Sequence, residues 1–205
     1  MSDEIKPGEA AKPAEVAPAK PVPKPVVKKP VVKKPTIMET VPWEGPLVDA
    51  LKGRFGEKIS LFGTYREQDF IEADISAAYE IVEFLKNEEA FDYLVDLTAV
   101  HWPKKEKPFE VVWILYSFAK NTRVRIKSSV ADGEKAPSVV ALHNTANWAE
   151  REVYDMYGVE FENHPDLKRI LMPDEWEGFP LRKEYGLIQQ DEAWVRENVK
   201  IESGQ

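Results

Sequence analysis

The first 40 residues of this chain are rich in proline and lysine, a composition that does not form an ordinary hydrophobic core. Eight of the 16 prolines precede residue 36, and positions 21–35 read PVPKPVVKKPVVKKP. Proline lacks a backbone donor and favours extended polyproline II segments, and such a tract buries too little apolar surface to offset the entropy of ordering it. We therefore predict a disordered Pro/Lys-rich tail over residues 1–40.

The charge is divided unevenly between this tail and the rest. Residues 1–40 hold eight lysines and five acidic residues, about +3, so the formal charge of −8 leaves about −11 on the remainder. An acidic body argues against general binding to a nucleic-acid backbone, which needs a basic surface. We expect no nucleic-acid partner.

Residues 41–158 carry apolar patterns typical of one α+β domain. Helical spacing is found at Leu47–Phe55, at Ile75–Asn87 after a capping Asp74, and from Asn144 or Thr145 to Gly158. Strand patterns occupy Ile59–Phe62, Phe70–Ile71, Tyr93–Val100, Phe109–Phe118 and Arg123–Val130, with a turn expected at Gly63 and Thr64. Because strands and helices do not alternate regularly, we predict a small mixed or antiparallel sheet with helices packed on it.

Two of these strands differ in how their faces are patterned. Phe109–Phe118 is apolar on both faces, which predicts an inner strand covered on both sides. Arg123–Val130 alternates, with Val124 and Ile126 inward and three cations, Arg123, Arg125 and Lys127, outward. That cationic face is either simply solvated or meets an acidic partner.

Motifs for chemistry are missing from the sequence. It has no cysteine, which excludes disulfides, thiolate nucleophiles and thiolate-bound zinc or iron–sulfur clusters. Its histidines, His101, His143 and His164, lack metal-binding spacing, and its ten glycines form no phosphate-binding loop. We therefore expect no catalytic, cofactor-binding or metal-binding residues on this chain.

No segment has the character of a membrane anchor or a secretion signal. The N-terminus, MSDEIKPGEA, lacks an apolar stretch, and the longest uninterrupted apolar run, Val111 to Tyr116, is far shorter than a membrane span. We expect a soluble protein that reaches a membrane only through its partners.

The helix over residues 145–158 carries several charged side chains. At about 100° per residue, Ala149, Val153, Met156 and Tyr157 form its core stripe. Arg151 and Asp155 lie one turn apart on the opposite side and are expected to pair. Glu152 lies beside the stripe, where a carboxylate needs a cation. The candidate cations are Lys168, Arg169 and Arg182.

The segment that follows is irregular and apolar. From Phe161 to Tyr185 it combines three prolines with large apolar groups and interleaved Lys and Arg, without helical or strand period. Such a segment needs a surface to lie on, either a partner's or that of its own domain. We predict that residues 159–205 form an extended partner-binding C-terminal arm, with well-packed intramolecular structure as the alternative. The candidate interface residues are Leu171, Met172, Trp176, Phe179, Leu181 and Arg182.

An ordered set of residues in this region resembles the signature of a known family. It comprises Glu150, Arg151, Glu152, Asp155, His164, Lys168, Ile170 and Leu171, and it continues through HPDLKRILMPDEWEGFPLRKEY. The pattern is similar to that of the 30-kDa (C) subunit family of NADH:quinone oxidoreductase, respiratory complex I. Glu184-Tyr185-Gly186 stands where the family has an Asp-Tyr-Pro-like ending.

The resemblance implies a function and a set of partners. It implies a non-catalytic structural and assembly subunit in the peripheral arm of a proton-translocating enzyme that passes electrons from NADH to quinone. FMN and iron–sulfur clusters are then expected on partner chains, with the quinone-site (D) subunit and the iron–sulfur (B and I) subunits as chief neighbours. The expected location is peripheral, at the cytoplasmic face of the bacterial inner membrane.

Two other functions remain open on the sequence. One is a homologous subunit of a membrane-bound hydrogenase or of an F420- or ferredoxin-linked dehydrogenase, because the module that accepts electrons lies on other chains. The other is an independent small enzyme that uses Glu150, Glu152, Asp155 and His164 for acid–base chemistry.

Overall fold

The computed structural model of the chain describes residues 40–186 and 192–198. The strands are β1 (Val41–Pro42), β2 (Ile59–Tyr65), β3 (Gln68–Ala73), β4 (Tyr93–His101), β5 (Phe109–Ser117), β6 (Thr122–Val130), β7 (Ala136–Pro137) and β8 (Phe161–Glu162). The helices are α1 (Pro46–Phe55), α2 (Ala78–Asn87), α3 (Ala146–Tyr157) and α4 (Glu192–Asn198), with 3-10 turns at Gly56–Lys58 and Ile75–Ala77. The predicted disordered tail lies outside the described residues, apart from Thr40.

Six strands form one mixed sheet in the order β1-β2-β3-β6-β5-β4. The β3–β6 pair is parallel, and the other neighbours are antiparallel. The predicted α+β class with a small mixed sheet is confirmed.

The turn between β2 and β3 lies later than the sequence predicts. Gly63 and Thr64 are not in the turn: they pair with Phe70 and Asp69 within the ladder. The chain reverses at Arg66 and Glu67, which adopt φ values of +49° and +62°. Glycine is the usual signal for such left-handed positions, so two charged residues there give no warning of a turn.

The helix ends follow the sequence closely. α1 begins with Pro46, where a missing backbone donor costs nothing, and it ends before Gly56. The Asp74 side chain accepts a hydrogen bond from the Ser76 backbone N–H at 2.9 Å, so it caps the short 3-10 turn, and α2 begins at Ala78. Thr145 occupies the N-cap position of α3, as predicted, but its side chain makes no capping hydrogen bond. The helix ends at Gly158, whose φ of +75° is the left-handed conformation common after a helix.

The hydrophobic core lies on one face of the sheet. Val111, Trp113 and Leu115 of β5 are fully buried, together with apolar residues of α1 and α2. On the opposite face of the same strand, Ile114 and Tyr116 are only partly buried. Val112 on that face is buried, so the predicted cover on both sides of this strand holds at Val112 but not at Ile114 and Tyr116. As predicted, β5 lies between two other strands.

β6 shows the predicted alternation. Val124 and Ile126 are buried, whereas Arg123 is exposed and Arg125 and Lys127 are partly buried. We call the face that carries Ile114, Tyr116 and these three cations the outer face.

A small parallel pairing brackets α3. β7 precedes the helix and β8 follows it, with Ala136 opposite Phe161 and Pro137 opposite Glu162. Because α3 also packs against β4, the beginning of the C-terminal arm is fixed beside the domain. None of the helices within residues 40–186 and 192–198 has the length and apolar content to cross a lipid bilayer.

Candidate functional site

The described part of the arm contains little regular structure, with one strand (β8) and one helix (α4). Its irregular portion lies along α3 and the end of β4. Two hydrogen bonds donated by backbone N–H groups of the arm join distant segments. Leu181 N–H donates to the Met156 carbonyl at 3.1 Å, and Lys183 N–H donates to Nδ1 of His101 at 3.0 Å. The arm is therefore held on its own domain at several points along its length.

Asp155 is the central group in this contact. Its side chain is fully buried, and its Oδ2 accepts three consecutive backbone N–H groups, those of Ile170 (3.0 Å), Leu171 (2.7 Å) and Met172 (2.9 Å). Its Oδ1 pairs with the Arg169 guanidinium at 2.7 Å. Burial alone would raise the pKa of Asp155, but these hydrogen bonds outweigh burial and hold the pKa below its ordinary value.

Arg169 continues the network across the arm. Its other terminal nitrogen donates to the Gly178 carbonyl at 3.0 Å, and its guanidinium lies 5.4 Å from the centre of the Phe179 ring. One cation thus connects a buried carboxylate of α3 to two separate parts of the arm.

Arg151 binds the arm directly and does not form the predicted pair with Asp155. Its guanidinium donates to the carbonyls of Lys168 (3.0 Å) and Arg169 (3.1 Å). Asp155 is buried beneath the arm, so its charge meets Arg169 instead. The Trp148 ring covers the Arg151 guanidinium at 5.2 Å, so the two side chains lie together on the outer side of the helix.

The glycine that ends α3 is covered by Phe179. A Cβ added at Gly158 would lie 2.5 Å from the Phe179 ring and 2.8 Å from the Arg182 guanidinium. Arg182 lies 4.8 Å from the same ring, donates to the Tyr157 carbonyl at 2.6 Å and pairs with Asp132 at 3.1 Å. Two of the predicted interface residues, Phe179 and Arg182, therefore make extensive intramolecular contacts.

Trp176 also has partners within the chain. Its indole N–H donates to the Tyr185 hydroxyl at 3.2 Å, and its ring meets the Trp194 ring of α4 edge to face at 5.6 Å. The side chain is only partly buried, so part of its apolar surface remains available.

Glu150 is a fully buried carboxylate, and its burial was not predicted from the sequence. Its Oε1 accepts the Val139 backbone N–H at 2.7 Å. Burial raises the pKa of Glu150 to about 7, with the hydrogen bond from the Val139 backbone opposing the rise. Helical spacing could have found it, because Glu150 follows buried Ala146 by four residues and precedes buried Val153 by three.

Glu152 lies on the solvent side of α3, so its predicted position at the margin of burial is wrong. The three candidate cations for it have other partners. Lys168 pairs with Asp166, Arg169 with Asp155, and Arg182 with Asp132.

His164 connects the arm to the start of α3. Its Nδ1 accepts the Asp166 backbone N–H at 3.1 Å, so Nε2 carries the proton and donates to the Asn147 carbonyl at 3.2 Å. His164 and the carboxylates Glu150, Glu152 and Asp155 make no hydrogen bond to one another in the described part of the chain. No group of three or more metal-binding side chains is found there either.

Two leucines of the predicted interface set point away from the domain. Leu171 is 61% exposed and Leu181 is 50% exposed, while the other four residues are partly buried. Trp148, beside Arg151 on α3, is 64% exposed. The backbone of residues 161–185 is thus held on the domain, and several large apolar side chains of this segment and of α3 face solvent.

Comparison with known proteins gives a consistent result. Residues 71–191 match the family described as "Respiratory-chain NADH dehydrogenase, 30 Kd subunit". The chain is 42% identical over 143 residues to the NADH-quinone oxidoreductase C subunit of Geobacter sulfurreducens, covering 69% of this chain and 88% of the relative. It is 47% identical over 112 residues to the corresponding protein of Geotalea uraniireducens, covering 54% and 68%.

A solved structure has the same fold. It is a chain of the membrane-bound sulfane sulfur reductase, an archaeal respiratory membrane complex. The TM-score is 0.61 at 22% identity, and the match covers 78% of this chain and 93% of that one. At this identity the likeness concerns the fold alone.

Proposed function

Because this chain belongs to the 30 kDa subunit family of respiratory-chain NADH dehydrogenases, we propose that it is a structural and assembly subunit of an NADH-quinone oxidoreductase, with its C-terminal arm as the partner-binding element. The names of relatives at 42% and 47% identity support this enzyme over a hydrogenase or an F420-linked dehydrogenase. The proposed role is to hold other chains in place, without redox chemistry on its own residues.

The observation that carries this proposal is that the backbone of the arm is held by the domain while some of its apolar side chains face solvent. Asp155, Arg151 and Arg169 fix the backbone of residues 168–172, yet Leu171 in the middle of that segment is 61% exposed. A segment already ordered in the free protein loses less conformational entropy on binding. Apolar groups displayed on such a backbone are suited to a protein interface.

The proposed partners follow from family membership. We propose that the arm contacts the quinone-site (D) subunit, with the iron–sulfur (B and I) subunits nearby and with FMN and the clusters held by partner chains. The proposed location is peripheral, on the cytoplasmic side of the bacterial inner membrane, with contact to the membrane only through the complex.

A double substitution in the arm tests the proposal. Leu171→Ser with Leu181→Ser removes two exposed apolar groups, so the free chain is expected to melt within about 2 °C of the wild type. Recovery of assembled oxidoreductase is expected to fall at least about tenfold, because loss of an interface anchor typically costs about 2–4 kcal/mol. The measurement is the yield of complex purified in mild detergent.

Val41→Ser is the matched control, because Val41 is 62% exposed and lies on β1, away from the arm. It is expected to leave both the melting temperature and assembly unchanged. Normal assembly of the double variant would refute the partner-binding role of the arm.

The proposal that this chain carries no catalytic residues has its own test. Glu152→Gln and His164→Asn, each in the assembled oxidoreductase, are expected to retain NADH:quinone turnover, because we assign these residues to structure. An assembled but inactive variant would instead support the acid–base alternative.

A further inference from the structure

Three cations are arranged in a column on the outer face. Arg123, Arg125 and Lys127 alternate along β6 and therefore lie about 7 Å apart on one side of the sheet. Across the β5–β6 ladder they stand opposite Tyr116, Ile114 and Val112, respectively. The positive column thus runs beside Tyr116 and Ile114, which are partly buried, and Val112, which is buried.

The column forms no ion pair within the described residues, although Glu72 of β3 stands opposite Lys127. None of the three cations forms an ion pair with a carboxylate of residues 40–186 or 192–198, and Lys127 instead lies 4.3 Å from the centre of the Phe70 ring. Yet the sequence beyond residue 40 has about 11 more acidic than basic residues. Three cations without ion pairs therefore lie side by side on one strand of an acidic body.

Exposed aromatic rings continue this row of β5 side chains at one end. Tyr93 and Phe118 are both exposed; the Phe118 ring lies 5.6 Å from Tyr93 and 5.0 Å from Tyr116. Since Tyr116 is opposite Arg123, this aromatic cluster is continuous with the cations. Aromatic and arginine side chains are enriched in protein interfaces.

We propose that the outer face docks an acidic segment of another chain of the same complex. The inference rests on the proposed function, since it takes the partner to be a neighbouring subunit. Two carboxylates four residues apart on a helix are separated by about 6 Å along the helix axis. This separation is close to the spacing of the cations on β6. Apolar residues beside those carboxylates would pack on Ile114 and on the aromatic cluster.

Charge argues against the other occupants that this chain could supply. Residues 1–40 carry about +3 and would be repelled by the column. A second copy that docked the same face would bring three more cations against it. The aromatic cluster and Ile114 favour a protein over a nucleic-acid backbone, which interacts mainly through charge.

Charge reversal on the outer face is the first test. The chain with Arg123→Glu and Arg125→Glu is assembled into the oxidoreductase, and NaCl is raised until it dissociates. Its midpoint of release is expected at no more than about half the salt concentration of the wild type, because attraction between charges at an interface is screened by salt. Arg123→Gln with Arg125→Gln is expected to lie between the two.

The matched control is Lys52→Glu with Lys104→Glu, which makes the same change in net charge at exposed lysines of α1 and of the β4–β5 loop. It is expected to behave as the wild type. Equal release of control and reversal variants would overturn the inference. Recovery of the complex with the wild-type chain tests the proposed function separately, and its failure would remove both.

Photo-crosslinking identifies the occupant. A photoreactive residue in place of Phe118, in the assembled oxidoreductase, is expected to capture a peptide of another subunit that has at least two carboxylates near the crosslink. Capture of this chain's own tail, a second copy, lipid or nucleic acid would overturn the inference, and so would no capture at all.

Discussion

Two buried carboxylates on α3 have pKa values that depart from the ordinary ones in opposite directions. Four hydrogen bonds from the arm hold the pKa of Asp155 low in spite of its burial, whereas burial dominates at Glu150 and raises its pKa to about 7. The number of donors that reach each carboxylate decides the direction.

Glu150→Gln is expected to change the dependence of stability on pH. With a pKa of about 7 in the folded chain against 4.5 ordinarily, Glu150 binds its proton more tightly when folded. Its favourable contribution is therefore complete below pH 4.5 and is lost as the pH rises to about 7, by at most about 3 kcal/mol. Glutamine keeps the acceptor for Val139 without ionising, so the variant should gain stability relative to the wild type between pH 4.5 and 8.

Chemical unfolding of the variant and the wild type at pH 4.5 and pH 8 measures this difference in stability. Glu152→Gln is the control, since it removes one carboxylate from the exposed side of the same helix. If the Glu150→Gln variant and the wild type had parallel pH profiles, the assigned protonation of Glu150 would be wrong.

Gly158→Ala is expected to destabilise the chain by about 2–4 kcal/mol. The backbone there has φ +75°, and the new Cβ would clash with the Phe179 ring. Gly133→Ala is a matched control, because Gly133 has φ +80° with no atom near a new Cβ. It should lose only about 1 kcal/mol from the backbone. Equal losses in thermal or urea unfolding would show that Phe179 does not pack on Gly158.

Residue positions were predictable from sequence where a regular period applies. Helical spacing predicted the buried positions of Val153 and Met156 and could have predicted that of Glu150. It could not predict the partners of Asp155, because three are backbone N–H groups 15 to 17 residues farther along and the fourth is Arg169, all in an irregular segment. Which cation pairs with which carboxylate depends on how that segment returns to the helix.

At the scale of the elements, α3 and the arm form one unit held by buried polar contacts. Asp155→Asn removes the charge that pairs with Arg169, and breaking a buried pair from one side typically costs about 3–5 kcal/mol. We expect a loss of stability of that order, with faster amide hydrogen exchange at Ile170, Leu171 and Met172. Because its pKa lies below the ordinary value, the wild-type contribution persists above pH 3.8 and is lost on acidification.

Asp166→Asn is the matched control for this variant, since Asp166 lies in the arm and pairs with Lys168 at the surface. It should leave hydrogen exchange at residues 170–172 unchanged. Unchanged exchange in Asp155→Asn as well would show that other contacts hold the arm.

The longer elements were more predictable than the connections between them. The strict alternation in β6 predicted its buried and exposed faces correctly. β7 and β8 have two residues each, too short to carry a period, and they exist because the chain on both sides of α3 is brought together. The parallel β3–β6 pair likewise depends on long-range packing. In the sequence, α2, β4 and β5 separate the two strands, and local patterns do not encode how these elements pack to bring β3 beside β6.

For the whole molecule, we expect the domain to fold without its N-terminal tract. Deletion of residues 1–39 should change the melting temperature by no more than about 1–2 °C, because a Pro/Lys-rich sequence contributes little apolar surface to a core. The measurement is a thermal melt of the full and shortened chains at equal ionic strength. A larger loss would show that the tract packs against the domain.

During synthesis, the groups that bind the arm are made before the arm itself. His101, Asp155 and the Tyr157 carbonyl all precede the residues that bind them. At about 5–20 residues per second, the roughly 30 residues from Tyr157 to Gly186 take about 2–6 s to synthesise, long enough for a small domain to collapse. The leucines of the arm are therefore made only after the rest of the domain, which gives the nascent chain an interval in which the domain can fold before the proposed interface is complete.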